Sequence, residues 1–423
     1  MSNKSNNKSN KGLFLNGPIN YIKLYNKDKD QTVILLMDYH VSIDKQKKCE
    51  EYDAKDVNLY IYKELKETIT QLDFFLEIVP TEINNIKKYY SNDNYINETK
   101  KIFKKIYMEN QSKPNSNVRL HYIDIRDYAF IYNIVAIIKK IISILESNKL
   151  DQILLIIEQL NYTKSILEFV NNYIELIAKS KVKYKSIDHI NLTLSNSKNN
   201  QNNSKETNNF NEILNFGFIE LLDKILNQYI DLELKSNINK YFNDNYIEVS
   251  KKLIIYIKAL IDKILKIYES IDKSQIQQDL VLKEVILNNK LGLKSKYIGY
   301  GIDFFEYEKQ WEIILNEVNK LHLMIINIGS VFMDCFFLRR LLEKNQIKNS
   351  IVYTGISHSV MYVWFLVKYY NYTIQDYYYI SKEKLDKKDP IKHLEKIIKN
   401  SKSSFDIFKY IVPSKFSQCI KIN

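Results

Sequence analysis

The sequence predicts an α/β protein: a mostly parallel or mixed central sheet flanked by helices, carrying a large helical insertion. Two observations predict the sheet. Short apolar runs bounded by polar residues alternate with segments of helical period through the first 125 residues, and another such run with its helix returns at Ile351–Tyr370. A third observation predicts the insertion. From Asp127 to about Tyr184, and again from Asn211 to about Asn289, Ile, Leu and Tyr recur every three or four residues.

The elements follow in chain order. Met1–Lys11 is a tail of Ser, Asn and Lys with nothing to bury, and disorder is expected there. Ile19–Leu24 alternates in part as a first strand, and the turn at Asn26–Asp30 pairs it as a hairpin with the strand in the stretch Thr32–His40. Asp56–Ile69 places Val57, Tyr60, Ile61, Leu65 and Ile69 on one helical face. Leu72–Leu76 is a strand that runs into Glu77 and that Pro80 stops, because proline lacks the ladder donor. Ile83–Met108 is a charged helix, and Asn110–Asn117 a polar turn. Val118–Ile125 alternates, with Val118, Leu120, Tyr122 and Asp124 on one face and Arg119, His121, Ile123 and Ile125 on the other.

These residues give four segments: a tail at 1–11, the first half of the α/β domain at 12–127, the insertion at 128–298 and the second half at 299–423. Within the insertion, 191–211 is an Asn- and Ser-rich loop expected to be disordered. Order resumes near Gly299–Gly301, followed by a helical stretch with an apolar face at Phe304, Phe305, Tyr307 and Trp311 and a possible break at Gly329. Ile351–Thr354 is a short strand and Ser359–Tyr370 an apolar helix. Thr373–Ile380 is an edge strand or aromatic arm, and the remainder one charged helix and a tail.

Composition narrows the function classes. The formal charge of +12 arises from 62 basic residues dispersed among 50 acidic ones, without a basic stripe, so no specific nucleic-acid face is expected. Cys49, Cys335 and Cys419 are far apart and odd in number, which predicts neither a thiolate zinc site nor a disulfide framework and points to a reducing compartment. The strongest membrane candidate, Tyr128–Leu145, is interrupted by Asn133, Lys139 and Lys140 short of the roughly 20 residues a span needs. No membrane span is expected.

The chemistry gathers at strand ends. Ligands of open α/β sheets bind beyond the carboxyl ends of the parallel strands. There the sequence puts Asp38, His40, Glu77, Asp124 and Arg126, with Gly355 and His358 after the late strand. Asp38 and His40, two apart, point the same way on an extended backbone. Gly355 permits a sharp strand-to-helix turn, and a histidine in the first helical turn has its charged form disfavoured, which suits a neutral base or metal ligand. The bland alternatives are ordinary. Lone histidines cap strands, Asp124 with Arg126 forms a structural pair, and His121 is structural. His189 and His393 lie on the surface, and Asp334 with Arg339 and Arg340 forms a solvated helix face.

The succession D-Y-H at Asp38–His40, F-F-L-E ending at Glu77, H-Y-I-D-I-R-D from His121 and G-I-S-H at Gly355–His358 resembles the erythromycin-esterase/Tiki-like hydrolase superfamily, in the form of giant-virus proteins. The resemblance covers Thr32–Asp127 and Val331–Phe365. Gly355 and His358 match its second G-x-x-H and His40 its first, where Met37 and Asp38 replace small residues; Glu77 matches one family acid. It implies hydrolysis of an ester, peptide or other small molecule. His40 or Glu77 would take a proton from water while His358 and Arg126 stabilise the developing charge. A metal held by Asp38, His40, Glu77, Asp124 and His358 would be manganese, zinc or iron. Two alternatives stand beside this reading. One is a metallophosphoesterase, which shares the opening D-x-H. The other is a non-enzymatic virion or host-interaction protein that binds a protein partner through the insertion. The expected location is the host cytoplasm or the virion.

Overall fold

Eight residues, Gln31–Asp38, form the strand that the apolar run predicts. The computed structural model describes residues 12–51, 53–84, 93–112, 117–126, 130–147, 152–179, 216–270, 304–381, 383, 385–386, 388–415 and 417–422. The predicted tail at 1–11, the loop at 191–211, His189 and Gly299–Gly301 lie outside them. In chain order the elements are β1 (Leu13–Asn16), β2 (Asn20–Asn26), β3 (Gln31–Asp38), β4 (Lys55–Asp56), α1 (Val57–Glu67), β5 (Leu72–Leu76), α2 (Pro80–Asn84), α3 (Tyr95–Ser112) and β6 (Val118–Tyr122). Then come α4 (Ile131–Glu146), α5 (Ile153–Lys179), α6 (Phe216–Leu226), α7 (Leu232–Phe242), α8 (Glu248–Ser270) and α9 (Phe304–Glu343). The chain closes with β7 (Asn349–Gly355), α10 (Ile356–Tyr370), β8 (Thr373–Tyr377), α11 (Pro390–Asn400), α12 (Phe405–Ile411) and β9 (Cys419–Ile422).

Contacts divide the chain into two units, residues 1–125 with 333–423, and residues 126–332. The sequence placed the return to the α/β domain at 299. The contacts place it at Met333, inside α9, which runs through Gly329 without a break.

The first unit is built on a six-stranded sheet of order β6-β5-β7-β3-β2-β8. The pairs β6–β5, β5–β7 and β7–β3 are parallel, whereas β2 pairs antiparallel with both β3 and β8. The fold is therefore α/β with a mixed sheet. β7 arrives from the far end of the chain and fills the slot between β3 and β5, so four parallel strands end on one edge. Both faces of the sheet are covered, which explains why Leu72–Leu76 is buried throughout and does not alternate. One face presents Leu36, Phe74, Leu76, Ile351 and Tyr353 to Ile61 and Leu65 of α1 and Phe103 and Ile106 of α3. Burying each such apolar side chain contributes roughly 1.5–3 kcal/mol. On the other, Phe75 meets Phe337 of α9 edge to face at 5.2 Å, and Phe337 lies 4.1 Å from Tyr362 of α10.

Three local expectations are corrected. Pro80 ends the β5 segment and also opens α2, since its missing N–H is no loss in a first helical turn. The strand from Val118 stops at Tyr122, three residues early. The C-terminal remainder holds two helices and a strand. That strand, β9, joins β1 and β4 in a second sheet of order β4-β1-β9. Strands of two to four residues carry too little periodicity to read, and β1 and β9 come from opposite ends of the chain.

The cysteines are also corrected. Cys49 and Cys419 form a disulfide across a sequence separation of 370, with Cα atoms 5.0 Å apart. Proximity in space decides pairing, and spacing in the sequence concealed it. In the chain-entropy picture such a closure is worth on the order of 5 kcal/mol.

The second unit is helical. Phe130, Phe218, Phe242, Tyr246 and Phe332 form one aromatic cluster with ring centroids 4.8–6.3 Å apart in its contacting pairs. Gly329 allows α9 to approach α4 closely, since a Cβ there would stand 2.6 Å from Ile131 Cγ2. Trp311 Nε1 donates to the Leu145 carbonyl at 3.0 Å. By length and composition, Lys309–Glu343 could cross a membrane, but 67% of its most apolar window is buried in the protein, as in a core helix.

Candidate functional site

Parallel pairing sets Asp38 opposite Gly355 and Leu76 opposite Tyr353, so the ends of β3, β5 and β7 lie side by side. Just past β3 the chain turns at His40, whose φ of +56° is left-handed. That conformation costs a non-glycine residue about 1–2 kcal/mol, and local hydrogen bonds hold it here. The His40 backbone N–H donates to Asp38 Oδ2 at 2.8 Å, and ring Nδ1 lies 2.6 Å from the same oxygen. On the other side of the ring, Nε2 stands 3.6 Å from Glu77 Oε2.

Each carboxylate is fixed in turn. Asp38, 1% exposed, accepts from Tyr353 Oη at 2.7 Å, and Glu77, 6% exposed, accepts from the Gly355 N–H at 2.8 Å. A buried carboxylate is tolerated only with such partners. Gly355 is required by space: a Cβ there would come within 2.9 Å of His40 Nε2 and 3.4 Å of Glu77 Oε2.

Two buried carboxylates thus flank one imidazole. Burial works against the charge of the ring. The hydrogen bonds to Asp38 and Glu77, and the charges of those groups, outweigh it and raise His40 from 6.5 to about 10. His40 is an imidazolium at neutral pH. With 42% of its side chain exposed, it also remains reachable from solvent.

His358 lies in the first turn of α10, two residues after its start, and is 8% exposed. Its Nδ1 sits 2.6 Å from Oδ1 of Asp334, which is itself 3% exposed. The expected solvated face at Asp334 is corrected. Met333, Cys335 and Phe337 are buried around it, so this acid inside an apolar stretch of α9 points inward. Asp124 is buried two residues beyond the end of β6. Arg126 is half-buried and opens the second unit.

Of Asp38, His40, Glu77, Asp124 and His358, no three bring donor atoms within 4.8 Å of one another. Among the described residues that arrangement occurs at Cys49, Glu51 and Cys419. What the structure joins are two histidine–carboxylate pairs, His40 with Asp38 and Glu77, and His358 with Asp334. Sequence reasoning missed Tyr353 and Asp334. Both carried a signal, a phenol within an apolar strand and a lone acid within an apolar helix, each of which needs a partner when buried.

Comparison with known proteins places the chain. The model of a family of unknown function, DUF5847, matches residues 13–423. The chain belongs to that family. It is 28% identical over 436 residues to Uncharacterized protein R706 of Acanthamoeba polyphaga mimivirus, covering 97% of this chain and 95% of R706. It is likewise 28% identical over 445 residues to protein R161 of the same virus, covering 96% of each. Protein R160 of that virus matches at 28% over 85% of this chain. No solved structure matches.

These findings correct the resemblance to erythromycin-esterase/Tiki-like hydrolases. The DUF5847 match spans the chain from residue 13 to its end, the relatives are mimivirus proteins of that length, and no match to the hydrolase superfamily accompanies them. The shared D-Y-H and G-x-x-H strings are three or four residues long, and strand ends in α/β sheets favour such residues for physical reasons alone. The giant-virus part of the expectation stands.

The DUF5847 chain holds a second polar cluster on the sheet. Asp73, fully buried, accepts from Arg119 Nε at 2.7 Å and Nη2 at 2.6 Å. Its Oδ1 also lies 2.6 Å from His121 Nε2, while His121 Nδ1 accepts from Arg340 Nε at 3.0 Å. Accepting at Nδ1 makes His121 a donor at Nε2 in its neutral form. Burial holds His121 below its usual value. For Asp73 burial acts upward, and His121 and Arg119 overcome it to hold the carboxyl below 3.8. Both ring nitrogens of His121 and both carboxylate oxygens of Asp73 are engaged.

Proposed function

We propose that the carboxyl edge of the sheet is an acid–base catalytic site of hydrolase type in which His40 carries the proton. One observation supports this above the others: a solvent-reachable imidazole is held in a left-handed turn with each ring nitrogen facing a buried carboxylate. Core histidines need no such arrangement. Perturbed titrating groups assembled at a ligand-binding edge are the usual mark of a working site.

The raised affinity of His40 for its proton makes it the acid of the pair, in place of the base that the sequence suggested. Asp38, fixed by Tyr353, orients the ring through Nδ1. The Nε2–H then protonates the leaving group, while Glu77, steadied by the Gly355 N–H, receives a proton from the attacking water. A divalent ion such as manganese, zinc or iron seated against the Asp38 and Glu77 carboxylates would compete with the His40 proton for the same charge.

The test is turnover of a panel of chromogenic esters, amides and phosphate esters, with and without manganese or zinc. His40→Asn and Glu77→Gln are expected to lose about 10²–10⁴-fold. Equal turnover by wild type and both variants overturns the reading.

A second reading, a non-enzymatic virion or host-interaction protein, draws on the Cys49–Cys419 disulfide. Such cross-links belong to oxidising settings, virion surfaces among them. Detection of the chain in purified virions, with a host protein captured through residues 126–332, would favour it over a host-cytoplasmic enzyme.

A further inference from the structure

Cys49 stands nine residues after His40, at the far end of the loop that leaves the candidate site. Between them the described backbone contains one short 3₁₀ turn, Ile43–Lys45. The loop is held at several points. Ile43 N–H donates to the Asp93 carbonyl at 2.6 Å, and Gln46 Nε2 returns to the Val41 carbonyl within the loop. Ile43 also packs against the hydrophobic core, and a further attachment is at Cys49. Its N–H donates to Asn16 Oδ1 at 2.7 Å, and its sulfur is bonded to Cys419. Asn16 and Cys419 face each other in the β1–β9 register, so Cys49 fastens to both strands at one rung. Asn16 Nδ2 in turn donates to Asp56 Oδ1 at the end of β4.

The small sheet meets the loop at the same point. β9 has only four residues and β4 has two. On their own, ladders this short are marginal in water, and here Leu15 of β1 and Ile420 of β9 are also buried in the main core. Both bonded cysteines are half-buried at this edge, within reach of a small thiol, whereas Cys335 is fully buried in the core and its thiol is pushed well up by burial. The partly exposed cysteines are the bonded ones.

We propose that the Cys49–Cys419 disulfide is a redox latch that fixes the loop after His40 to the β4-β1-β9 sheet. A dithiol reductant opens it by thiol–disulfide exchange. The protein disulfide takes up two electrons and two protons to become two thiols, and the dithiol gives up the same two electrons and two protons to become a disulfide. Opening frees residues 41–51 and lets β9 fray from its Cys419 end, while the large sheet stays closed. The inference does not rest on His40 being catalytic.

The experiment is hydrogen exchange on the full chain, oxidised and after dithiothreitol, alongside Cys49→Ser and Cys419→Ser. Reduction is expected to speed exchange at 41–51 and 419–422 by tenfold or more and to leave β3, β5 and β7 unchanged. Both variants should exchange there as the reduced protein does and ignore the reductant. Three results would each overturn the latch: three titratable thiols in the protein unfolded without reductant, unchanged exchange after reduction, or one equivalent of zinc taken up by the reduced pair with Glu51. The last would make the trio a metal site, which its donor spacing of under 4.8 Å permits.

Discussion

Gly355→Ala isolates the packing of the candidate site from its backbone. Gly355 has φ −56° and ψ 148°, which any L residue adopts, so the new methyl brings no conformational strain. Restricting the unfolded chain would by itself stabilise the protein by about 0.4–1 kcal/mol. Against that, the methyl would stand 2.9 Å from His40 Nε2 and 3.4 Å from Glu77 Oε2. Both neighbours are constrained, His40 by Asp38 and Glu77 by the Gly355 N–H itself. Overpacking of this kind costs about 1–3 kcal/mol. The net expectation is a loss of about 1–2 kcal/mol, read as a lower urea midpoint at unchanged slope. Moving the ring away from Glu77 should also bring the His40 titration down from about 10 towards 6.5, followed by NMR of the ring. In the His40→Ala background the same methyl should cost little, giving a coupling of about 1 kcal/mol or more between the sites. A stability gain from Gly355→Ala alone, with an unmoved His40 titration, would refute the crowded geometry.

Two further outcomes follow from the charged groups. His40 is raised in the folded state, so its contribution is complete below pH 6.5 and is lost as the pH rises through about 10. The difference in urea midpoint between wild type and His40→Asn should shrink across that interval, and a constant difference would count against the pairing. Asp73 is lowered, so its contribution is present above pH 3.8 and lost as the pH falls below that value. Asp73→Ala strands Arg119 and buried His121 and should cost about 3–5 kcal/mol near neutrality, against less for Asp73→Asn, which keeps an acceptor. A loss under about 1 kcal/mol by chemical denaturation would show that Arg119 and His121 find other partners.

The candidate site was legible to the extent that chemistry follows strand ends. His40, Glu77 and Gly355–His358 were readable because an apolar strand advertises where it stops, and a sheet with parallel strands brings those stops together. Asp334 was misread because it sits in a helix whose neighbours are apolar all round, so period alone gives no direction. Tyr353 went unremarked because tyrosine is abundant here, with 33 in the chain, and its hydroxyl contact with Asp38 spans 315 positions. The protonation of His40 was also out of reach, since it depends on Glu77 from a different strand standing across the ring.

By itself the sequence determined the local elements: the Gln31–Asp38 and Leu72–Leu76 strands, the hairpin, the helical middle and the acids and histidines at strand ends. Each follows from periodicity and turn chemistry within about twenty residues. Tertiary structure alone decided the insertion of β7 between β3 and β5, the second sheet, the cysteine bond and the pairing of each histidine with its carboxylate. Those depend on which distant segments share a surface, and burial free energy scales with the area two surfaces bury together, whatever the length of chain between them.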